Sequence, residues 1–368
     1  MNLQNKTVTV VGGGVAGLAS AAALARAGAQ VTVHERAPEI AEVGAGLQIS
    51  ANGLRALAAL GLDGALREAS VPSRGVCLLD GLADRQVVEL APQSPSFFVH
   101  RARLIEVLKA GAEAAGATIV TGSKIERGDV PGDYVVAADG VRSVFRPLLN
   151  DPVEPQFSGQ VAWRAVIADA SAKPMADVFM GPGRHLVSYP LAGGLRNIAA
   201  CEDRRDWVEE GWSIEDRPMN VRAAFARFPA RVQDWLAQID KLYLWGLFTR
   251  PVAQTWQDGR VILVGDAAHS TLPYLAQGAN LALEDAVVLA RALKSGDLPA
   301  YQDARKMRAQ RVVAAAAANA WKFHLANGLV RQTAFAGLRI REMVRPNAAG
   351  RSFGWIWDYD PATVPIGS

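Results

Sequence analysis

Apolar positions along this chain follow two periods, and their order predicts the architecture. Thr7-Val8-Thr9-Val10-Val11 is a short β-rich run ending at Gly12. Residues 16–27 are rich in helix formers and stop at Gly28, the residue type favoured just past a helix end. Val31-Thr32-Val33-His34-Glu35 predicts a second strand, so the first 35 residues read strand, glycine turn, helix, strand. Residues 134–138 and 260–264 predict two more buried strands, each running into an acidic residue beside glycine. The middle differs: 161–168, 185–189, 198–201 and 242–249 are short strands between Gly, Pro and Asp turns. Residues 75–90 read as a hairpin around Asp80-Gly81, and from Asn280 the pattern turns helical. The expectation is an α/β chain whose first unit is interleaved with a mixed sheet and followed by C-terminal helices.

The glycine turn narrows the chemistry. Gly12-Gly13-Gly14-Val15-Ala16-Gly17 fits GxGxxG between a predicted strand and helix. Gly12 permits the tight turn, Gly14 lets a pyrophosphate approach the backbone, and Gly17 allows close packing of helix on strand. The helix start offers free N–H groups to phosphate. Glu35 ends the second strand, where a carboxylate accepts hydrogen bonds from a ribose. That pattern suits NAD and FAD alike; Glu35 beside Arg36 favours a ribose without a phosphate.

Composition then removes alternatives. With 368 residues the chain is long enough for two or three domains with a sizeable core. The 39 basic and 36 acidic residues leave +3, spread without a basic block, so no nucleic-acid partner is expected. Cys77 and Cys201 are far apart and outside any CxxC, which excludes a disulfide framework or zinc site and predicts a reducing cytoplasm. Residues 10–25 imitate a signal segment but are too short to span a bilayer.

Two further motifs carry a resemblance. Asp139-Gly140-Val141-Arg142-Ser143-Val144-Phe145-Arg146 follows one predicted strand, and Gly265-Asp266-Ala267-Ala268-His269 follows another. The second leads through Pro273 to Gln277-Gly278-Ala279-Asn280 and a helix bearing Glu284-Asp285. With GxGxxG, DGxxSxxR and GDAAH in this order, the chain resembles the single-component FAD-dependent aromatic hydroxylases. These include the para-hydroxybenzoate, salicylate and 3-hydroxybenzoate hydroxylases.

The resemblance implies a Rossmann-like FAD-binding domain at 1–74, 97–150 and 254–325. It implies a mixed-β-sheet substrate domain at 75–96 and 151–253, and a helical segment at 326–368. It implies non-covalent FAD, NADH or NADPH as co-substrate, and O2, with a small aromatic or heteroaromatic substrate hydroxylated through a flavin C4a-hydroperoxide. Gly12, Gly14, Val15, Ala16, Gly17, Glu35 and Arg36 would surround the ADP part of FAD. Arg101, Asp139 and Asp266 match cofactor-contacting positions, and Gln48 and Pro273 lie beside the isoalloxazine or its substrate. The helix start at Gly278, Ala279 and Asn280 presents N–H groups to negative charge on reduced flavin. The lack of a second GxGxxG agrees with transient nicotinamide binding.

For the chemistry itself, His185 and Tyr189 are four apart on a strand and share a face. His185 is either the base for a phenol-like hydroxyl or a satisfied structural histidine. Gln277 is either a substrate hydrogen-bond partner or a loop-stabilising amide. Asp139 is either a cofactor ligand or a turn former. His269 is read as support for its motif, His34 and His324 as structural, and Arg164 as an exposed strand arginine in preference to one that meets a carboxylate or nicotinamide. Trp355-Ile356-Trp357 is read as packing and not as a halogenase signature. Residues 325–344 are read as a helix covering the body of the protein, without a membrane partner, in a monomer or homodimer. Other FAD monooxygenases (urate-type, ubiquinone-pathway or halogenating) and a non-catalytic flavin-binding module remain as alternatives.

Overall fold

The computed structural model describes residues 3–40, 45–128, 130–206 and 214–366. The chain begins β1 (Thr7–Val11), α1 (Val15–Arg26), β2 (Gln30–His34), β3 (Gly46–Ile49), α2 (Ala51–Ala59), α3 (Asp63–Glu68) and β4 (Ser70–Pro72). The hairpin β5 (Val76–Asp80) and β6 (Arg85–Leu90) follows, then β7 (Phe97–His100), α4 (Arg101–Ala114), β8 (Thr118–Val120), β9 (Tyr134–Ala137) and α5 (Arg146–Leu149). Four long strands come next: β10 (Gln156–Ala168), β11 (Ala176–Gly181), β12 (Arg184–Leu191) and β13 (Leu195–Asp203). After β14 (Glu215–Asp216), α6 (Pro218–Ala224), α7 (Ala230–Ala237), β15 (Leu242–Thr249) and β16 (Val261–Leu263), the rest is helical. It comprises α8 (Asp266–His269), α9 (Gly278–Ser295), α10 (Pro299–Ala320), α11 (Gly328–Val344), α12 (Ala348–Arg351) and α13 (Gly354–Trp357).

Three sheets result. A parallel sheet runs β16-β9-β1-β2-β8, so its strands come from three separated parts of the sequence. An eight-stranded sheet runs β14-β15-β10-β13-β12-β11-β5-β6, antiparallel except where β11 meets β5. A small sheet, β3-β7-β4, completes the set. The predicted Rossmann-like unit and mixed sheet are therefore both present and interleaved. Strand β10 starts five residues before the predicted one, because Gln156 and Phe157 continue the pairing with β15 across a register shift.

Small side chains explain how α1 is placed. Its alanines let it sit buried on the parallel sheet with α4 and α9 against it. In the large sheet, alternation assigns each residue a face. Val161, Trp163, Phe179, Leu186 and Ile198 form a core with Val221, Val232 and Leu236 of α6 and α7. The opposite face carries His185, Tyr189 and Arg164. Helix α11 buries Phe335 in a cluster with Val87 and Met180, while Leu329, Ile340 and Met343 are exposed, so only one side of it covers the body. No helix among the described residues is long and apolar enough to cross a membrane.

Candidate active site

Each glycine of the turn has a separate steric reason. Gly12 has φ +109°, and a Cβ there would lie 2.4 Å from the Ala138 carbonyl oxygen. A Cβ on Gly17 would lie 1.9 Å from the Gly12 carbonyl oxygen. Gly14 caps α1 and has nothing within 4 Å of its Cβ position, an open place beside the unpaired N–H groups of the helix start. The Glu35 carboxylate accepts from Gly13 N–H at 2.7 Å and Ala37 N–H at 2.9 Å, which sets it at the rim of that opening. Arg36 beside it is exposed.

Two more carboxylates face the same region. Asp139 Oδ2 accepts from Val144 N–H at 2.8 Å, whereas Oδ1 is buried without a partner. Burial pushes the Asp139 carboxyl up; bonds from Ser143 and Val144 offset this only in part. Asp266 opens α8; burial pushes its carboxyl up too, and the charges of His269 and Arg101 pull the other way. Arg101, first residue of α4, donates its N–H to Ala45 O at 2.9 Å. An orphaned buried oxygen, an open glycine cradle and a desolvated carboxylate with arginine nearby fit the phosphates and polyhydroxyl chain of FAD.

The turn before α9 is fastened from beneath. Asn280 Oδ1 accepts from Ser50 N–H at 3.0 Å, and Nδ2 donates to Gln48 O at 3.0 Å and Ala276 O at 2.7 Å. This joins β3 to the helix start, leaving the first N–H groups of α9, at Gly278 and Ala279, without intrahelical acceptors. Gln277 is also buried. Its Oε1 accepts from Asn52 Nδ2 at 2.9 Å, and Nε2 donates to Ser50 Oγ at 3.0 Å and Leu275 O at 3.2 Å. Both ends of the amide have protein partners, which is the arrangement of a loop-stabilising amide. Pro273 is exposed, in a 3-10 turn whose next residue, Tyr274, is buried.

His269 has the supporting role expected of it. Its Nε2 lies 2.6 Å from Asp285 Oδ2, which also accepts from Gly265 N–H at 2.9 Å. Arg305 Nε donates to Asp285 Oδ1 at 2.8 Å, and Glu284 binds both Arg305 and Arg308. Sequence reasoning missed this cluster. The available signal was an acidic pair within an otherwise apolar helix, where uncompensated burial of charge is too costly.

The face of the large sheet supplies the other wall. His185 is 3% exposed, and Tyr189 stacks on Phe98 with centroids 4.8 Å apart. Burial and the nearby His324 hold His185 well below the usual histidine range, so it is neutral. Its Nδ1 lies 2.6 Å from His324 Nε2, and His324 Nδ1 lies 2.5 Å from Asp203 Oδ1. His324, expected to be merely structural, is thus the direct partner of the candidate base. Sequence could not show this across 139 residues. Arg164 is half-buried, not exposed: its guanidinium lies over the Trp245 ring at 4.8 Å, and its Nε has no hydrogen-bond partner.

The sequence matches a family described as FAD binding domain over residues 5–128 and 88–316. It is 35% identical to a 3-amino-4-hydroxybenzoate 2-monooxygenase of Streptomyces platensis, across 98% of this chain and 97% of that one. A 3-hydroxybenzoate 6-hydroxylase of Klebsiella oxytoca is 32% identical across 83% and 85%. Two solved structures are similar over 99% of both chains. One is a Klebsiella pneumoniae protein complexed with FAD and uric acid, with TM-score 0.84 and 22% identity. The other is a salicylate hydroxylase substrate complex, with TM-score 0.79 and 23% identity. At that identity these two speak for the fold. Together with the full-length relatives and the cradle described above, they lead to one conclusion: this chain belongs to the FAD-dependent aromatic hydroxylases and is a flavoprotein monooxygenase.

Proposed function

We propose that the chain hydroxylates a small phenolic acid, of the hydroxybenzoate or aminohydroxybenzoate kind, using NAD(P)H and O2. The observation that carries this is a cation and a base on one sheet face. Arg164 pairs with Ala199, which pairs in turn with Val187, so Arg164 stands level with the middle of the His185–Tyr189 stretch. Two strand spacings separate them, about 10 Å, a gap that a long arginine side chain and one aromatic acid fill. The unpartnered Arg164 Nε has a carboxylate as its natural acceptor. With Nδ1 committed to His324, Nε2 of the neutral His185 is the nitrogen that meets a ring hydroxyl.

Gly14, Glu35, Arg101, Asp139 and Asp266 would hold FAD, and the first N–H groups of α9 would meet its pyrimidine edge. When bound and reduced, FAD supplies the activation of O2. The protein binds the ring, removes the proton that makes the ring carbon nucleophilic, and excludes water. The buried free thiols Cys77 and Cys201 suit the reducing cytoplasm, and the enzyme acts as a monomer or homodimer. Residues 75–96 and 151–253 serve as its substrate sheet.

The test is a panel of hydroxybenzoates and aminohydroxybenzoates, scored for stimulated NADH or NADPH oxidation and for ring-hydroxylated product. Arg164→Met should raise KM for the responsive acid about 10-fold or more, without that effect on its amide. His185→Ala should slow product formation far more than it weakens FAD binding. If hydrogen peroxide is the sole product across the panel, the reading fails.

A further inference from the structure

We propose that His324 and Asp203 form, with His185, a proton relay carrying the substrate hydroxyl proton past the end of β13 to solvent. This deepens the hydroxylation reading above and rests on it. Its basis is an unbroken line of groups from a buried base to an exposed carboxylate. His185 is 3% exposed, while the Asp203 side chain is 49% exposed, and His324 bridges them by contacts of 2.6 and 2.5 Å. Gln160 fixes the outer end, its Nε2 donating to Asp203 Oδ1 at 3.0 Å while its Oε1 accepts from the Tyr274 hydroxyl. His324 lines a cavity of about 470 Å³, together with Asp203, Gln160, Thr249 and Trp321.

One set of tautomers satisfies the line, with Gln160 Nε2, 3.2 Å from His324 Nδ1, giving its proton to Asp203. His324 Nδ1–H donates to Asp203, and His185 Nδ1–H donates to His324 Nε2, which leaves the lone pair of His185 Nε2 facing the substrate. When that nitrogen takes the hydroxyl proton, its Nδ1 proton passes to His324 Nε2. The positive charge then rests on His324 beside the Asp203 carboxylate, and His185 is neutral again with its proton on Nε2. Water in the cavity takes the proton from His324 Nδ1. No bond other than O–H and N–H is made or broken, and one proton enters for each that leaves.

The environment biases the transfer outward. Burial and His324 disfavour charge on His185. Burial pushes Asp203 up, but the bonds from His324 and Gln160 outweigh it and hold the carboxyl below its ordinary value, so it stays ionised. Among the described residues, the other titratable or charged groups facing the line are Arg184 on β12, Cys201 on β13 and Tyr274. Burial pushes Cys201 up to about 12 and pushes Tyr274 up as well, so neither titrates near neutrality.

The experiment uses the holoenzyme with whichever acid of the panel turns over. His324→Asn should lower kcat for product formation at least ~10-fold, with KM and FAD content unchanged, and should alter the pH profile between about pH 6 and 9. His324→Gly should regain activity with added imidazole entering the cavity, more with imidazoles of higher basicity. Asp203→Asn, which leaves both histidines in place, should give a smaller loss of kcat in the same direction. A His324→Asn enzyme with unchanged kcat and pH profile overturns the relay while leaving the hydroxylation reading intact. So does a His324→Gly enzyme that is indifferent to imidazole while Asp203→Asn has no effect. A wild-type enzyme that hydroxylates no panel member overturns the hydroxylation reading, and the relay with it.

Discussion

The Gly46 N–H donates to the buried Asn197 Oδ1 at 2.7 Å, and this bond ties β3, beside the cofactor cradle, to β13 in the middle of the large sheet. Substituting Asn197→Leu leaves a buried donor unsatisfied, a cost of about 1–3 kcal/mol. The expected outcome is a melting temperature lower by a few degrees, read by calorimetry. Gly46→Ala strikes the same bond and the wall beside it. Its Cβ would lie 2.6 Å from Tyr189 Cε2 and 2.8 Å from Asn197 Cγ, so both side chains must move, and stability should fall while KM for the aromatic acid rises.

Asp266 predicts an opposition between stability and cofactor affinity. Burial raises its folded pKa, so the charged form costs stability above the unfolded value of about 3.9, and the cost fades as pH falls. Asp266→Asn should therefore raise the melting temperature of the flavin-free protein at neutral pH. The amide accepts hydroxyl hydrogen bonds more weakly than a carboxylate does, so FAD affinity should drop ~10-fold. Fluorescence titration of the flavin-free protein reads the second effect; unchanged affinity would separate Asp266 from the cofactor.

The buried His269–Asp285 pair gives a pH prediction with two signs. Burial pushes His269 down, but Asp285 at 2.6 Å outweighs it, and the folded pKa is raised. That contribution is full below the usual value of 6.5 and is lost as pH rises through the folded value. Burial pushes Asp285 up, but His269 and Arg305 outweigh it and the folded pKa is depressed. Its contribution is present above the usual 3.8 and lost as pH falls through the folded value. His269→Gln should flatten the decline of melting temperature between about pH 7 and 9. Asp285→Asn should cost about 3 kcal/mol by weakening the pairing of the buried Arg305.

These residues also show what the sequence carries and what it hides. Glu35 and the glycine turn were legible because strand, turn, helix and acid are contiguous and each has a local physical requirement. His185 and Tyr189 were placed on one face by the two-residue period of a strand. Arg164 was misjudged because β10 is covered on both sides: Ala162 and Val166 flank it with much the same polarity as Trp163 and Ala165, so the pattern does not say which face is buried. The surroundings of Gln277 and His324 were hidden for a different reason. Their partners, Asn52 and Ser50 for one and His185 and Asp203 for the other, come from remote segments brought together only by the fold.

The two later glycines of the turn separate folding from cofactor binding most sharply. Gly14 has φ −80°, which any residue adopts, and nothing lies within 4 Å of its Cβ position. Gly14→Ala should leave the flavin-free protein as stable as the wild type, within about 0.5 kcal/mol. The added methyl occupies the open place where the pyrophosphate approaches the backbone, so the purified protein should be colourless and bind FAD at least ~10-fold more weakly. Gly17→Ala instead drives a methyl to 1.9 Å from the Gly12 carbonyl oxygen, pushing α1 off β1. That variant should lose stability by about 1–3 kcal/mol as overpacked sites do, whether or not flavin is added. Thermal melts with and without FAD distinguish the two. A Gly14→Ala protein that retains yellow colour through gel filtration would show that the phosphates do not pass over this turn.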